Sequence, residues 1–351
     1  MNERAATGTT WVDVFDVVAA VSRRFGKLSP RLGLRTYDST AVAKADDQGI
    51  INIVAAAAAR EQIVLDDDAE VMLSTLQQRA TEEAVALEAR AAAAVSLLSS
   101  HDIPSRLLKG VAVARLDYPL AELRCFGDID LLVPGEQIGR AVEAFAAAGF
   151  DRHYPEPYDG FDEYIGKGVA VENSKRTVLD LHRTLALGYF GTRLDVDSLW
   201  AGGDGFDLAG TRLLALGRTQ RFVHGALHMA LSPVVRLIDA VDLCMIGRRP
   251  DALPTDDIVA VAEAWGCRAP VAQAITTTTG WLGPDWAPAD LVAWSRSYRP
   301  TVVERVAGAA FDGPLSGSAM RSLTAMGGLR SLPLVGRAAR SLLIPGHEER
   351  Q

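Results

Sequence analysis

Residues 123–133 read LRCFGDIDLLV, which places two acidic side chains within the apolar run of a buried strand. Asp128 and Asp130 are two residues apart, a spacing that directs both carboxylates to one face of a strand. We predict this strand over 129–133. Two like charges on one face repel each other, and a divalent cation such as Mg²⁺, which prefers oxygen ligands, removes that repulsion. The pair therefore favours a metal site at a sheet edge that faces a cleft; the alternative is a solvated pair at a strand entrance.

The composition is that of a soluble globular protein. The 351 residues suffice for about two domains with a sizeable core, and 48% are hydrophobic and 23% charged. No apolar run approaches the roughly 18 residues of a membrane helix, and the first residues, MNER, lack the apolar region of a signal peptide. The three cysteines have no paired spacing. We expect a cytoplasmic protein without disulfides.

The charge balance limits the class of partner. The net charge is −8 and the sequence pI about 5.3, and the sequence has no cluster of Lys and Arg of the kind that neutralises nucleic-acid phosphates. This argues against a long DNA or RNA partner. It leaves room for a local basic pocket that binds the phosphates of one nucleotide.

The hydrophobic periodicity divides the chain into four parts. They are a helical N-terminal region over 1–97, an α/β core over 98–200, a helical C-terminal domain over 201–310 and a tail over 311–351 rich in Gly, Ser, Leu and Arg. The predicted strands cover 106–108, 129–133, 169–171 and 178–182. The predicted helices cover 11–21, 71–98, 111–116, 138–148, a pair within 219–246 split near Pro233, 258–265 and 271–278, with a linker at 250–254. The expected fold class is α+β, a small mixed sheet flanked by helices.

A turn from a strand into a helix supplies candidate phosphate contacts. Lys109 and Gly110 follow the strand over 106–108, and a glycine at a helix start exposes backbone N–H groups that hold phosphate. The alternative is a glycine that only permits a tight turn. Arg124 precedes Asp128 by four residues, and its planar guanidinium suits a phosphate or a carboxylate. It can instead be a surface arginine or a partner of the two aspartates.

A second strand carries another candidate pair. Asp180 and His182 lie two apart in the strand over 178–182 and share a face. A carboxylate there can complete a metal site or accept the proton of an attacking hydroxyl; the alternative is a polar strand end.

The helical C-terminal domain has polar residues along an otherwise apolar helix pair. His224 and His228 have the i, i+4 spacing of a metal pair, but no third ligand is evident nearby. We therefore favour buried polar residues at a helix interface, with a lining role in a cleft as the second choice. Arg236 and Asp239 are close enough to pair with each other.

Taken together, these motifs resemble the uncharacterised bacterial nucleotidyltransferase family of the DNA polymerase beta-type superfamily. The resemblance spans roughly 98–246 and rests on the order of LKG at 108–110, YP at 118–119, GDIDLLV at 127–133 and LDLH at 179–182. The runs HGALH at 224–228 and RLID at 236–239 are similar to the helical C-terminal part of that family.

The resemblance implies an enzyme that transfers a nucleoside monophosphate from a nucleoside triphosphate such as ATP to a hydroxyl of a small molecule, peptide or protein. It implies two Mg²⁺ ions held by Asp128, Asp130 and Asp180, with Asp180 also a candidate base. The triphosphate is expected near Gly110, and Lys109, Gly110, Arg124 and His182 are the candidate nucleotide contacts.

The chain departs from the wider superfamily at one position. Gly110 is followed by Val111, where the superfamily usually has a serine or a second glycine. Two other functions therefore stay open: a toxin-like nucleotidyltransferase that modifies tRNA ends, and a non-catalytic nucleotide sensor or scaffold. The oligomeric state is not predicted.

Overall fold

A computed structural model of the chain describes residues 27–28, 35–247 and 252–309. The helix predicted over 11–21, the tail over 311–351 and the start of the linker over 250–254 lie outside the described residues.

The N-terminal part combines helices with a small sheet. Three short strands, β1 (Lys27–Leu28), β2 (Arg35–Tyr37) and β3 (Ile63–Leu65), pair in the order β1-β2-β3. The helices are α1 (Ser39–Asp47), α2 (Ile51–Ala58) and α3 (Asp67–Ser100). The sequence predicted only helices here, because strands of two or three residues are too short to show an alternating pattern. The long helix α3 starts where acidic residues cap it, and the Asp66 carboxylate accepts a bond from Ala69 N–H at 2.8 Å.

The core is a mixed sheet of seven strands; the sequence predicted a mixed sheet but only four of its strands, and those at 150–152, 204–208 and 211–215 were not predicted, the last two lying in the part predicted to be helical. The strands are β4 (Arg106–Leu108), β5 (Asp130–Leu132), β6 (Phe150–Arg152), β7 (Gly168–Asn173), β8 (Val178–His182), β9 (Asp204–Leu208) and β10 (Thr211–Ala215). Their order across the sheet is β6-β7-β8-β5-β4-β10-β9. The pairs β5–β8 and β4–β10 are parallel and the other pairs are antiparallel.

Helices connect these strands and complete the chain. Within the core they are α4 (Lys109–Asp117), α5 (Ile138–Ala147), α6 (Phe161–Tyr164) and α7 (Gly188–Arg193). The C-terminal helices are α8 (Arg218–Leu231), α9 (Leu237–Gly247), α10 (Thr255–Ala264), α11 (Arg268–Leu282), α12 (Ala289–Ser297) and α13 (Val302–Ala309). The α+β class is therefore confirmed. Within the described ranges no helix is both long and apolar enough to cross a bilayer.

The two faces of β5 pack against different parts of the molecule. Leu131 belongs to an apolar cluster with residues of α3 and α5, such as Leu98 and Phe145. Leu132 belongs to a second cluster that contains residues of the C-terminal helices, such as Phe222. Because side chains alternate along a strand, Asp130 shares the face of Leu132. The fold thus directs the Asp130 carboxylate to the side of the sheet that the C-terminal helices cover.

Candidate metal and nucleotide site

The register of β5 and β8 brings three predicted site residues together. Asp130 lies opposite Asp180, and Leu132 lies opposite His182. Since paired residues on neighbouring strands project from the same face, Asp130, Asp180 and His182 share one face. Backbone bonds extend this pairing on both sides: Asp180 N–H donates to Ile129 C=O at 2.9 Å, and Val133 N–H donates to His182 C=O at 2.8 Å. The sheet itself therefore fixes this group.

The Asp130 carboxylate is buried and contacted through both oxygens. Its Oδ1 lies 2.5 Å from His182 Nε2, and its Oδ2 lies 3.0 Å from Lys109 Nζ. One ligand atom from each of Asp130, Asp180 and His182 lies within 4.8 Å of the others. The two carboxylates suit a hard divalent cation such as Mg²⁺ or Mn²⁺, whereas an imidazole is a more typical ligand of transition metals such as zinc or iron. The carboxylates thus fit the metal that the family resemblance implies.

Electrostatics separate the protonation behaviour of the three groups. Burial opposes the charge of Asp130, but Lys109 and His182 outweigh it and hold the pKa of Asp130 well below its usual range. Burial and the Asp130 charge raise the pKa of Asp180. Burial, together with the charge of Lys167, lowers the pKa of His182 to about 4. His182 is therefore neutral at neutral pH, the form in which a ring nitrogen can bind a metal.

Asp128 lies just before the strand, in the loop that leads into β5. The strand β5 begins at Asp130, and residues 125–129 belong to no helix or strand. The partner strand β4 ends at Leu108, which pairs with Asp130, and the chain then turns into α4. Asp128 therefore has no partner residue on β4. It lies in the loop before β5, outside the group of three, so its role as a metal ligand stays a prediction.

A cleft of about 700 Å³, partly open to solvent, adjoins this group. Lys109 connects the two features, because it lines the cleft and also contacts Asp130. Other residues that line the cleft are Gly110, Arg124, Asp128, Arg221, His224, His228, Arg236, Asp239 and Asp242. The helices α8 and α9 therefore form one wall, and the start of α4 and the Asp128 loop form another.

The turn from β4 into α4 is tight. Lys109 has a left-handed backbone with φ of 41°, a conformation that costs energy for a residue other than glycine and that occurs often at functional sites. A Cβ on Gly110 would lie 3.3 Å from the Cβ of Phe126. The missing side chain lets the loop pass close to the first turn of α4, whose N–H groups are unpaired by helix geometry.

Arg124 is not a surface residue and does not pair with Asp128 or Asp130. Its guanidinium donates to Asp242 through Nε at 2.9 and 3.1 Å and through Nη2 at 2.6 Å. The predicted phosphate contact of Arg124 stays untested. The Lys109 ammonium is likewise bound to a carboxylate, that of Asp130, so the phosphate contacts of Lys109 and Gly110 also stay predictions.

The polar residues of α8 and α9 line the cleft, as in the second choice of the sequence analysis. Burial and the Lys109 charge lower the pKa of His224 well below its usual range and that of His228 to about 3. The described part of the chain places neither histidine in a group of three metal-ligating residues. Asp239 accepts a bond from Arg236 N–H at 2.8 Å and so caps α9, rather than bonding to the Arg236 guanidinium.

Lys167 and Asp242 lie near the site but were not predicted from the sequence as site residues. Burial, reinforced by the charge of Lys109, lowers the pKa of Lys167, while the charges of Asp130 and Asp180 raise it. The feature of the sequence that could have drawn attention to Lys167 is its position between two glycines, Gly166 and Gly168. A Cβ on Gly168 would meet Leu181 C=O at 2.2 Å, so this glycine permits close pairing with β8.

Comparisons with known proteins give one family match and several structural matches of low identity. A family model described as uncharacterised nucleotidyltransferase matches residues 38–283. A crystal structure of an antigenic nucleotidyltransferase-like protein from Paracoccidioides brasiliensis is 13% identical, with a TM-score of 0.34; the match covers 64% of this chain and 97% of that one. A solution structure of the antibiotic-resistance factor ANT(2'')-Ia is 17% identical, with a TM-score of 0.31, and the match covers 57% of this chain and 90% of that one. No curated protein matches the sequence significantly.

Proposed function

This chain belongs to the uncharacterised nucleotidyltransferase family, and we propose that it transfers a nucleoside monophosphate from a nucleoside triphosphate to a hydroxyl group in a Mg²⁺-dependent reaction. The observation that carries the proposal is the group of Asp130, Asp180 and His182 beside a cleft that contains Lys109 and Gly110. Metal ligands and phosphate-binding groups adjoin each other there, as nucleotidyl transfer requires.

Each residue has a defined part in this reaction. Asp130, Asp180 and His182 would hold Mg²⁺, and Asp128 would add a carboxylate from the adjacent loop. Two such ions stabilise the attacking and leaving oxygens of an in-line displacement. The Lys109 ammonium and the N–H groups at the start of α4 attract the phosphates. As the acceptor oxygen bonds to the α-phosphorus, pyrophosphate leaves, and Asp180 would accept the hydroxyl proton.

The proposed acceptor is a small molecule, peptide or protein. The net charge of −8 supports this class over a long nucleic acid, which requires many phosphate contacts from Lys and Arg. ATP, GTP, CTP and UTP remain equal candidates for the donor, because the base is selected by pocket contacts that differ among them.

Pyrophosphate release tests the proposal directly. The purified protein is incubated with Mg²⁺, each of the four nucleoside triphosphates and a panel of hydroxyl-bearing acceptors, including total tRNA. We expect release with at least one pair and none from an Asp130→Asn, Asp180→Asn double variant. Asp207→Asn is the matched control, since Asp207 lies on β9 with its side chain 74% exposed. If the wild type binds no triphosphate and releases no pyrophosphate, the proposed activity is wrong.

One observation favours a second candidate, a nucleotide sensor without turnover. Val111, which stands where the wider superfamily has a serine or glycine, is 1% exposed and packs in the core. It therefore offers no hydroxyl to a phosphate. Tight Mg²⁺-dependent binding of a triphosphate, with no pyrophosphate release across the acceptor panel, would favour the sensor.

A further inference from the structure

The segment between α4 and β5 has little regular structure of its own, although it carries Asp128. Its only regular element is a 3₁₀ turn at Ala121–Leu123. Residues 125–129 belong to no helix or strand. The position of the Asp128 carboxylate must therefore depend on contacts that other elements make with this segment.

One carboxylate of the C-terminal helices contacts the segment at two points. Asp242 on α9 accepts a bond from the Tyr118 hydroxyl at 2.8 Å and three bonds from Arg124 at 2.6 to 3.1 Å. All three residues are buried, with exposures of 6% for Tyr118 and 7% for Arg124 and Asp242. Asp242 thus holds both the start of the segment and the residue four before Asp128.

A further hydrogen bond extends from Arg124 into the loop that carries Asp128. The Arg124 Nη1 donates to Cys125 C=O at 3.2 Å, within the loop that leads to Asp128. Arg124, Asp128 and Asp242 all line the same cleft. The neighbouring carboxylate on α9, Asp239, caps its own helix, so Asp242 is the one that reaches the loop.

We propose that Asp242, together with Tyr118 and Arg124, positions the Asp128 loop against the metal-binding group from the C-terminal helices. The inference rests on the proposed function, and it assigns positioning residues to the same site. In this arrangement Asp242 acts on Asp128 through Arg124 and Tyr118. Its role is to keep Asp128 in place when the triphosphate enters.

The most informative variant is Tyr118→Phe, which removes one hydroxyl and leaves the Arg124–Asp242 pair intact. Asp242→Asn is less suitable, because it leaves the buried Arg124 charge without its partner and risks unfolding. Tyr298→Phe is the matched control: the Tyr298 hydroxyl also donates to a carboxylate, Glu304, at 2.8 Å, and neither residue lines the cleft. Arg124→Lys is a second variant that keeps the charge but loses the bidentate geometry.

Hydrogen exchange of the metal-free protein is the first measurement. We expect the amides of Leu123 and Arg124, which donate to Leu120 C=O and Ala121 C=O, to exchange roughly tenfold faster in Tyr118→Phe, which corresponds to the loss of about 1.4 kcal/mol. We expect no change there in Tyr298→Phe. Unchanged exchange in both Tyr118→Phe and Arg124→Lys, with the folds intact, would overturn the proposal.

A double-mutant cycle with Asp128→Asn separates positioning from simple stabilisation. The measured quantity is the affinity for non-hydrolysable analogues of ATP, GTP, CTP and UTP in the presence of Mn²⁺. If Tyr118 acts through Asp128, Tyr118→Phe weakens binding roughly five- to tenfold, by the worth of one hydrogen bond, but has no further effect in the Asp128→Asn background. Additive effects would contradict the proposal. If the wild type binds none of the analogues, the proposed function fails, and hydrogen exchange still decides the role of Asp242.

Discussion

The two halves of the candidate site are held in place by different means. Asp130, Asp180 and His182 lie on paired strands, where the backbone register fixes which side chains meet. Asp128 lies in a loop, and the segment that carries it is bonded to Asp242, 118 residues beyond Arg124, and to Asn52, which donates to Glu122 C=O. The first half is built into the sheet, whereas the second half depends on the docking of the C-terminal helices. We therefore expect metal binding alone to depend on the first half and nucleotide binding to depend on both.

The largest expected effect is on Mn²⁺ affinity, which should depend on Asp130 much more than on Asp128. We expect Asp130→Asn to weaken Mn²⁺ binding in the absence of nucleotide by about 100-fold or more, because it removes one of the two carboxylates of the sheet group. Asp128→Asn should change the same affinity by less than about threefold, since Asp128 lies outside that group. Electron paramagnetic resonance of free Mn²⁺ measures the Mn²⁺ affinity of both variants. An equal loss of affinity in the two variants would contradict the distinction between the two halves of the site.

Lys109 lies between the two halves of the site. Its replacement should raise the affinity for one ligand, Mn²⁺, and lower the affinity for another, the triphosphate. Its ammonium lies 3.0 Å from Asp130 Oδ2, where it competes with a metal for that oxygen. We expect Lys109→Met to tighten Mn²⁺ binding without nucleotide and to weaken triphosphate binding, each by roughly tenfold, a change of about 1.4 kcal/mol. Calorimetric titrations with Mn²⁺ alone and with a non-hydrolysable triphosphate check the two signs. Arg212→Met, on the exposed part of β10, is the control that should change neither.

The cleft wall formed by α8 should make stability depend on pH. The pKa of His228 is lowered to about 3 by burial and Lys109. Between this value and the ordinary pKa near 6.5, the unfolded chain binds a proton that the folded protein does not, so stability falls as pH falls through this window. The slope is at most about 1.4 kcal/mol per pH unit for each such histidine.

Urea unfolding at several pH values between 4.5 and 7.5 measures this slope. His228→Gln should show a shallower dependence than the wild type, whereas His101→Gln, at an exposed helix end, should keep the wild-type slope. An unaltered slope in His228→Gln would mean that this histidine takes up its proton in the folded protein.

The smallest effect concerns the fit between the loop and α4. Gly110→Ala would place a Cβ 3.3 Å from the Cβ of Phe126, so the loop must shift by a few tenths of an ångström. We expect the free energy of unfolding to fall by about 1 kcal/mol, at the low end of the cost of overpacking. The affinity for triphosphate should fall by a larger proportion than the free energy of unfolding. Gly139→Ala on α5, where a Cβ would meet nothing within 4 Å, should not destabilise the protein.

Much of the sheet-held half could be predicted from the sequence, and the reason is local. Side-chain alternation in a strand depends only on neighbouring residues, so Asp180 and His182 could be placed on one face from LDLH alone. The pairing of this strand with β5 then brought Asp130 to them. The short strands β1, β2 and β3 were missed because each has at most three residues, too few for a period to appear.

The loop-held half could not be predicted in the same way. The strand predicted over 129–133 begins at Asp130 in the structure, because where its pairing stops depends on β4, which turns into α4 after Leu108. Arg124 was expected near phosphate because nothing in its own neighbourhood indicates Asp242. An ion pair between residues so far apart in sequence is set by helix docking, which leaves no local pattern.

The central claim is that the sheet-held carboxylates couple metal to nucleotide. Calorimetric titration of non-hydrolysable triphosphate analogues, with and without Mg²⁺, tests this most directly. We expect at least one analogue to bind the wild type only when Mg²⁺ is present, and we expect Asp130→Asn to remove this binding while the fold remains intact. Binding that is equally tight without Mg²⁺, or unchanged in Asp130→Asn, would contradict the claim.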